Sequence, residues 1–396
     1  TLMRRKRAWG LASTVSSGWN IDNINPHLEQ ICREYPRSGA GDAKKRLLFT
    51  KGIRVSRPIV LAWMKLHQPQ EVENRRGRRL KRKRFWAAGV NDLWTTDQHD
   101  KWRRFHLYLH IGLEPVSGKI LWLKIWRTNR NPGLVCSWYL RAIEESGGMP
   151  LITQSDQGTE NYGIANAQTT MRQMLDPSLA GTIQHRFMHG HTNVKPEIAW
   201  SQLRRRWSSG WEDILDLGHL NGLYDPNDSS HRVVFHYIWI PFLQTKLDEY
   251  VHMHNNSKKR SDRHKILPHG RPDDIFANPS SPEFGSVDLK VLVNEATIEQ
   301  ARELYAPPDD SVYELVPPPI KSLLDRLYAE VMSLFPQQDR NINADNIWIV
   351  YSQLLAKFLQ SSVGNNDIAQ ALASVAATPE VGEDPADKIN LLPGLQ

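Results

Sequence analysis

Cysteine is scarce in this chain, which has only Cys32 and Cys136 among its 396 residues. Two cysteines exclude the disulfide framework that stabilises small secreted domains, and they favour a reducing, intracellular compartment. We expect both thiols to be small buried apolar groups rather than ligands or nucleophiles.

Other features that define whole classes of protein are also missing. No apolar run approaches the roughly 18 residues that a membrane span needs, so we expect no membrane association. The basic start, residues 1–7, has no apolar stretch behind it and is not a secretory signal. No Gly-x-x-x-x-Gly-Lys motif occurs, which argues against ATP hydrolysis. The first residue is Thr1 rather than Met, which indicates a fragment or an incomplete gene model.

Positive charge is in excess, because 50 lysines and arginines stand against 43 acidic residues and give a net charge of +7. This balance favours a polyanionic partner such as nucleic acid. Eight of the ten residues in 75–84 are basic, and so dense a block should be extended and solvated. We therefore predict a basic linker over 71–90 that contacts phosphates or directs the protein to the nucleus, with a linker that has no partner as the alternative. Its candidate DNA-contacting residues are Arg78, Arg79, Lys81 and Arg82.

Residues 1–70 are predicted to be helical, with the pattern of a helix-turn-helix around Gly52. Residues 43–49 favour a short helix, Gly52 suits the turn, and Ser56 is a typical N-cap for a second helix. In such a motif the start of the second helix faces DNA. The side chains predicted there are Arg54 and Arg57. A small helical domain with incidental arginines is the alternative.

Residues 91–276 show strand and helix patterns in the order of an α/β domain. Three strands come first, and helices with two further strands follow. The predicted strands are 92–96, 105–113, 120–126, 151–154 and 182–187. The predicted helices are 133–145, 162–175 and 196–207. This order predicts a mixed five-stranded sheet covered by helices.

Three acidic residues stand where a fold can bring carboxylates together. Asp97 and Asp156 each follow a predicted strand, and Glu197 comes directly after Pro196 at the start of a predicted helix. Hard cations such as Mg²⁺ take oxygen ligands, usually from one or two carboxylates each. Two such ions can clamp the attacking and leaving oxygens of a phosphodiester. The three positions therefore predict metal-dependent strand-transfer chemistry on DNA.

Each of these carboxylates has a rival or a simpler role. Asp92 is expected in the turn before the first strand, Asp100 lies beyond the expected end of that strand, and Glu160 is the rival in the second segment. Glu197 also suits a first helical turn, where it would only balance the helix dipole. The histidines within 185–191 lack further ligands at suitable spacing, so we expect exposed loop histidines rather than a zinc site.

The three acidic motifs, taken in order, resemble the catalytic core of retroviral-type integrases and related DDE transposases. They are similar to integrase-core proteins of fungal and other eukaryotic genomes. The motifs are Trp94-x-x-Asp97, Ser155-Asp156-x-Gly158 and Pro196-Glu197, and their acidic residues are 59 and 41 positions apart. The second interval is longer than the usual retroviral one, which suggests an insertion before the helix of Glu197. The resemblance covers about residues 91–276.

The resemblance implies an RNase H-like fold in which Asp97, Asp156 and Glu197 hold two Mg²⁺ or Mn²⁺ ions. It also implies double-stranded DNA as the partner, a homo-oligomer on that DNA, and a nuclear location. Many such integrases carry an N-terminal zinc module with two cysteines, but only Cys32 precedes the core here, so that module is not expected. Glu114 stands where many relatives have an Asp after the second strand.

The helix of Glu197 carries further candidates for binding the DNA backbone. Ser201 and Arg204 lie four and seven residues after Glu197, on the same face of the helix, and Arg205 extends the basic run. A solvated basic face without a partner is the alternative for these arginines.

Beyond the core, residues 277–360 are predicted to be a helical C-terminal segment with helices at 321–335 and 344–360. The composition of 361–396 predicts disorder.

We expect DNA integration or transposition by a polynucleotidyl transferase of mobile-element origin. The alternatives are a catalytically idle, host-retained DNA-binding protein with the same fold, and a plain nuclease.

Overall fold

The computed structural model describes residues 18–74, 85–188, 193–259, 266–337, 340–377 and 391–392. The chain is divided into two compact units. The first contains residues up to 84 together with 199–216, and the second contains 85–198 and everything from 217 onward. Four candidate DNA-contacting residues of the basic linker, Arg78, Arg79, Lys81 and Arg82, lie outside the described residues.

The first unit contains the two helices and the turn expected around Gly52. Its N-terminal helices are α1 (Asn25–Glu34), α2 (Ala40–Lys51), α3 (Arg57–His67) and α4 (Pro69–Asn74). Helix α2 ends where Gly52 adopts a φ of 65°, a left-handed conformation that suits glycine, and donates its N–H to the Leu48 carbonyl at 3.0 Å. Helix α3 begins directly after Ser56, and the side chains of Arg54 and Arg57 are exposed.

Segment 199–216 completes the core of the first unit. Its buried side chains are Trp200, Leu203, Trp207, Trp211 and Leu215. The ring of Trp211 meets Tyr35 edge-on, with centroids 6.0 Å apart. Arg46 is buried with its guanidinium carbon 3.4 Å from the centre of the Tyr35 ring, and its Nη2 donates to the Arg206 carbonyl at 2.7 Å. The domain bounds predicted as 1–70 and 91–276 thus differ from the structure, because 199–216 packs with the N-terminal helices.

The second unit contains the mixed five-stranded sheet that the sequence predicted. Its strands are β1 (Leu93–His99), β2 (Tyr108–Glu114), β3 (Lys119–Trp126), β4 (Ile152–Asp156) and β5 (His185–Met188). They lie in the order β3-β2-β1-β4-β5. The β1–β2 and β2–β3 pairs are antiparallel, whereas β1–β4 and β4–β5 are parallel. The α/β fold of an RNase H-like core, with helices before and after it, is confirmed.

Helices follow the strands in the predicted order. In the core region these are α5 (Pro132–Ser146), α6 (Tyr162–Leu175), α7 (Val194–Leu203), α8 (Ser209–Leu220), α9 (Ser229–Asn255) and α10 (Pro272–Ala277). A π-helical turn, Arg204–Ser208, joins α7 to α8. Towards the C-terminus lie α11 (Glu295–Tyr305), α12 (Pro318–Ser333), α13 (Ile347–Ser362) and α14 (Asn366–Ala377).

The apolar core of the second unit lies between the sheet and helices α5, α6 and α11. Trp94 of β1 is buried there, with its ring 6.0 Å from that of Tyr139 in α5 and its Nε1 donating to the Asn91 side chain at 2.8 Å. Helix α6 adds Ile164 and Ala167 to the same cluster. This cluster holds β1 from one face and fixes which of its residues point away from the core.

Helix α14 corrects the disorder predicted for residues 361–396. Ile368 of α14 is buried, and the Arg232 guanidinium donates to the Val375 carbonyl at 2.9 Å. The alanines that suggested a disordered tail are strong helix formers, and packing against α9 and α12 supplies what the composition alone does not show. Residues 378–390 and 393–396 lie outside the described part of the chain.

Candidate active site

Asp97 and Asp156 lie on neighbouring parallel strands. The β1–β4 register pairs Leu93 with Ile152 and Thr95 with Gln154, an offset of 59 residues. Continuing this offset brings Asp97 level with Asp156, which is the last residue of β4. Residues level with each other in a parallel pair carry their side chains on the same face, on strands about 4.8 Å apart. The two carboxylates therefore share one face of the sheet, and both are partly exposed.

Strand β1 is longer than predicted, and this changes the position of Asp97. The sequence predicted that the strand ends at residue 96, whereas β1 continues to His99 and pairs Asp97 with Ile111 of β2. The pairing explains why Asp97 keeps a fixed direction, because its backbone belongs to a ladder rather than to a loop. Strand β2 thus fixes the backbone at Asp97, whereas the pairing of β1 with β4 ends two residues earlier, at Thr95.

The chain enters helix α7 through Asn193, a residue that sequence reasoning missed. Asn193 is fully buried. Its Nδ2 donates to the Thr96 carbonyl of β1 at 2.8 Å, and its Oδ1 accepts from Gln154 Nε2 of β4 at 3.2 Å. Gln154 lies on the same face of β4 as Asp156, because side chains alternate along a strand. The start of α7 is therefore fixed over the face that carries both aspartates. The one sequence signal was an asparagine three residues before the predicted helix of 196–207, and the observed helix begins directly after it.

Glu197 lies in the first turn of α7, with its side chain exposed. The same turn is fixed to the β2–β3 hairpin by Lys195, whose Nζ donates to the Pro115 carbonyl at 3.1 Å. The Lys195 ammonium also lies 4.2 Å from the centre of the Phe85 ring. Residues 189–192, with two of the loop histidines, lie outside the described residues.

Carboxylates suit a hard cation, and the register of β1 and β4 directs two of the three candidates to one face of the sheet. Mg²⁺ is commonly held by one or two carboxylates, with water and substrate phosphates completing its octahedron. Asp97 and Asp156 provide such a pair. Within the described ranges, no group of three His, Cys, Asp or Glu side chains is close enough to hold a metal ion, so Glu197 does not form a three-ligand cluster with them.

The rival acidic residues have structural partners. Asp92 accepts from the Ala88 N–H at 2.8 Å in the turn before β1, where the sequence predicted a turn residue. Asp100 forms an ion pair with Arg130 at 2.7 Å and accepts from Asn129 Nδ2 at 2.9 Å. Glu160 is buried, and its burial raises the pKa of its carboxyl.

Glu114, which departs from the pattern of many integrases, closes the β2–β3 hairpin. Its carboxylate is buried and accepts from the N–H groups of Val116 at 3.0 Å and Ser117 at 2.7 Å. Burial raises the pKa of Glu114, and the hydrogen bonds from Ser117 and Val116 and the charge of Lys195 partly offset that rise. We therefore interpret Glu114 as a turn residue rather than a ligand.

His185 supports β4 from the face opposite Asp156. The sequence predicted an exposed loop histidine, but His185 lies in β5 and is buried. Its Nδ1 is 2.8 Å from Thr153 Oγ1, and its Nε2 is 3.0 Å from Ser155 Oγ. Because Ser155 Oγ donates to the Asp156 carbonyl, Nε2 carries the proton and Nδ1 accepts. Burial lowers the pKa of His185 to about 3, so the ring stays neutral.

The predicted backbone-binding residues of the third motif lie at the junction of α7 and the π-helical turn. Ser201, Arg204 and Arg205 are exposed and belong to the first unit. Arg204 Nη1 forms an ion pair with Glu212 Oε2 at 3.1 Å. Arg205 Nε donates to the Ser201 carbonyl at 3.1 Å. Exposed arginines remain available to phosphate, although Glu212 neutralises part of the charge at Arg204.

Comparison with known proteins identifies one domain. A model of the integrase core domain family matches residues 85–279, a little under half of the chain. This span contains the whole sheet and helices α5 to α10. No curated protein sequence matches the chain.

The buried neutral His185 should make the fold sensitive to acid. In the unfolded chain a histidine takes up a proton near pH 6.5, whereas the folded protein keeps His185 neutral down to about pH 3. The unfolded state therefore binds more protons below pH 6.5, and the free energy of unfolding falls as the pH decreases from there. His185→Gln should lower the free energy of unfolding at pH 8. Between pH 6.5 and 5, the free energy of unfolding of this variant should decrease less steeply than that of the wild type, by up to about 1.4 kcal/mol per pH unit.

Denaturant unfolding at several pH values measures this slope. The exposed His219 is the matched control, since His219→Gln should leave the slope unchanged. Equal slopes for wild type and His185→Gln would show that His185 takes up its proton at the same pH in the folded and the unfolded protein, and would contradict its neutral state.

Proposed function

We propose that this chain cleaves and joins strands of double-stranded DNA, because residues 85–279 match a model of the integrase core domain family. It would act as an integrase or transposase of mobile-element origin. The observation that carries this proposal is the parallel β1–β4 register, whose offset of 59 residues, continued beyond Thr95 and Gln154, would bring Asp97 level with Asp156.

In such a reaction the protein itself would bind the cations and orient the DNA. Asp97 and Asp156 would hold the cations, and Glu197, in the first turn of an anchored helix, would complete the ligand set when DNA is present. When bound, two Mg²⁺ or Mn²⁺ ions would activate the attacking hydroxyl or water and stabilise the leaving oxygen. Phosphoryl transfer of this kind needs little covalent work from a protein, so positioning accounts for most of the catalysis.

Double-stranded DNA is the proposed partner. The net charge of +7, the basic block over 75–84 and the exposed Arg54 and Arg57 after the Gly52 turn all favour a polyanion. Ser201, Arg204 and Arg205 would contact phosphates. We also propose a homo-oligomer on DNA and a nuclear location, the latter because of the basic block.

None of the helices in the described ranges has the length and apolar character that a bilayer crossing requires.

A catalytically idle DNA-binding protein is the second candidate. The described residues contain no three-ligand metal cluster, and this observation favours it. The two candidates share the DNA-binding residues and differ in whether the carboxylates matter for activity. Substitution of the carboxylates therefore separates them.

Cleavage should require a divalent cation and each of the three carboxylates. Asp97→Asn, Asp156→Asn and Glu197→Gln should each abolish cleavage and strand transfer on labelled duplex DNA, because each removes a ligand that the others do not replace. Asp100→Asn is the control, since Asp100 already pairs with Arg130. Activity that survives Asp97→Asn and is lost in Asp100→Asn would reverse their roles, and a wild type inactive with Mg²⁺ and Mn²⁺ would favour the idle protein.

The glycine turn and the basic linker should contribute differently to DNA binding. Replacing Arg54 and Arg57 by alanine should reduce preference among sequences, because the start of a recognition helix reads bases. Neutralising the basic residues of 75–84 should weaken all sequences alike and reduce the salt slope by about 0.9 per lost phosphate contact. Fluorescence anisotropy over a series of salt concentrations measures both effects. An unchanged slope would remove the linker from the interface.

Substitutions of Arg204 and of its partner Glu212 should change the affinity for duplex DNA in opposite directions. If Arg204 binds phosphate, Arg204→Ala should weaken duplex binding, whereas Glu212→Gln should strengthen it by removing the competing carboxylate. The same anisotropy measurement gives both affinities. Weakening by both substitutions would instead indicate that the ion pair serves the packing of the first unit.

A further inference from the structure

The backbone ladder between β1 and β4 ends just before the two aspartates. The last residues in register are Thr95 and Gln154, one strand position short of Thr96 and two short of Asp97. At this point the Thr96 carbonyl accepts a hydrogen bond from Asn193 Nδ2. The side chain of a third segment thus continues the connection between the strands where their own pairing stops.

The two ends of the Asn193 carboxamide bind different strands. Its N–H side holds β1 through a main-chain carbonyl, and its oxygen holds β4 through Gln154 Nε2. Both partners are buried, so neither has water as a ready replacement. A planar amide with a donor and an acceptor is the one side-chain group that satisfies both contacts at this length.

Asn193 also lies one helical turn before Glu197. Helix α7 begins at Val194, so a fixed Asn193 fixes the point from which the helix starts. Side chains four residues apart on a helix are neighbours on one face, about one turn of 5.4 Å along the axis. A displacement of Asn193 would consequently move the strand ends and the Glu197 turn together.

We propose that Asn193 is a positioning residue of the metal site, which sets the separation of Asp97 and Asp156 and ties the Glu197 helix to them. This inference rests on the proposed function, because it assumes that the carboxylates hold a cation. Asn193 is fully buried, and both ends of its amide are used by Thr96 and Gln154, so it would act through the strands rather than as a ligand. Its effect reaches the site through the two strands, in the way that outer hydrogen-bond partners orient metal ligands.

The test measures metal binding directly rather than activity. Isothermal titration calorimetry with Mn²⁺ on the full chain gives the dissociation constant for wild type, Asn193→Ala and Gln154→Met. Asn193→Ala removes both contacts and should weaken Mn²⁺ binding about tenfold or more, the usual effect of losing an outer partner of a metal ligand. Gln154→Met removes only the β4 contact, keeps the side-chain volume, and should weaken binding to a smaller extent.

Asn255 is the matched control. It is also a buried asparagine that holds a strand, since its Nδ2 donates to the Ile120 carbonyl at 2.9 Å and its Oδ1 accepts from the Ile120 N–H at 3.0 Å. That contact lies on β3, at the far edge of the sheet from β4. Asn255→Ala should therefore lower the melting temperature as Asn193→Ala does, yet leave the Mn²⁺ affinity unchanged.

The outcomes separate this inference from the proposed function. Weaker Mn²⁺ binding in Asn193→Ala and Gln154→Met, with wild-type affinity in Asn255→Ala, supports the positioning role. Wild-type affinity in a folded Gln154→Met and Asn193→Ala overturns it and leaves the proposed function standing. Equal loss in Asn255→Ala also overturns it, because the effect then follows stability alone. A wild type that binds no Mn²⁺ overturns the metal site itself and the positioning role with it.

Discussion

The parallel register of β1 and β4 is the constraint on which the candidate site depends. A shift of one residue would turn every side chain of one strand to the other face, and Asp97 would then point away from Asp156. The buried Trp94 prevents such a shift, because a slip would move its indole out of the core cluster and expose it. Apolar packing on one face thus specifies the carboxylate pair on the other.

Strand β4 is held by polar groups on both of its faces. On one face Gln154 binds Asn193, and on the other Thr153 and Ser155 bind His185. Such contacts are buried, so each broken hydrogen bond would cost about 1–3 kcal/mol through the partner left unsatisfied. Because β4 has only five residues, its main-chain hydrogen bonds alone would leave the position of Asp156 loosely fixed. Side-chain hydrogen bonds supply the remaining restraint on Asp156.

The sequence predicted the sheet because the signals of strands are local, and Asp97 and Asp156 were assigned to the site on equally local signals. Alternating apolar residues identify strands, and an aspartate directly after such a run is visible in a few residues. Asn193 and His185 gave no such signal, because their importance comes from partners 97 and 32 positions away in the chain. The grouping of 199–216 with the N-terminal helices was missed for the same reason. Trp207 and Trp211 of this segment are buried, and nothing in the neighbouring sequence shows which core they belong to.

Like charges held level on adjacent strands, as those of Asp97 and Asp156 would be, repel each other. A divalent cation between them removes that repulsion, which is the physical reason for connecting this pair with metal rather than with packing alone. Asp100 and Glu114 have structural roles, since Arg130 offsets the charge of Asp100 and the hydrogen bonds of Glu114 are used within a turn. The parallel strands β1 and β4, rather than these two positions, are therefore where we propose that a cation binds.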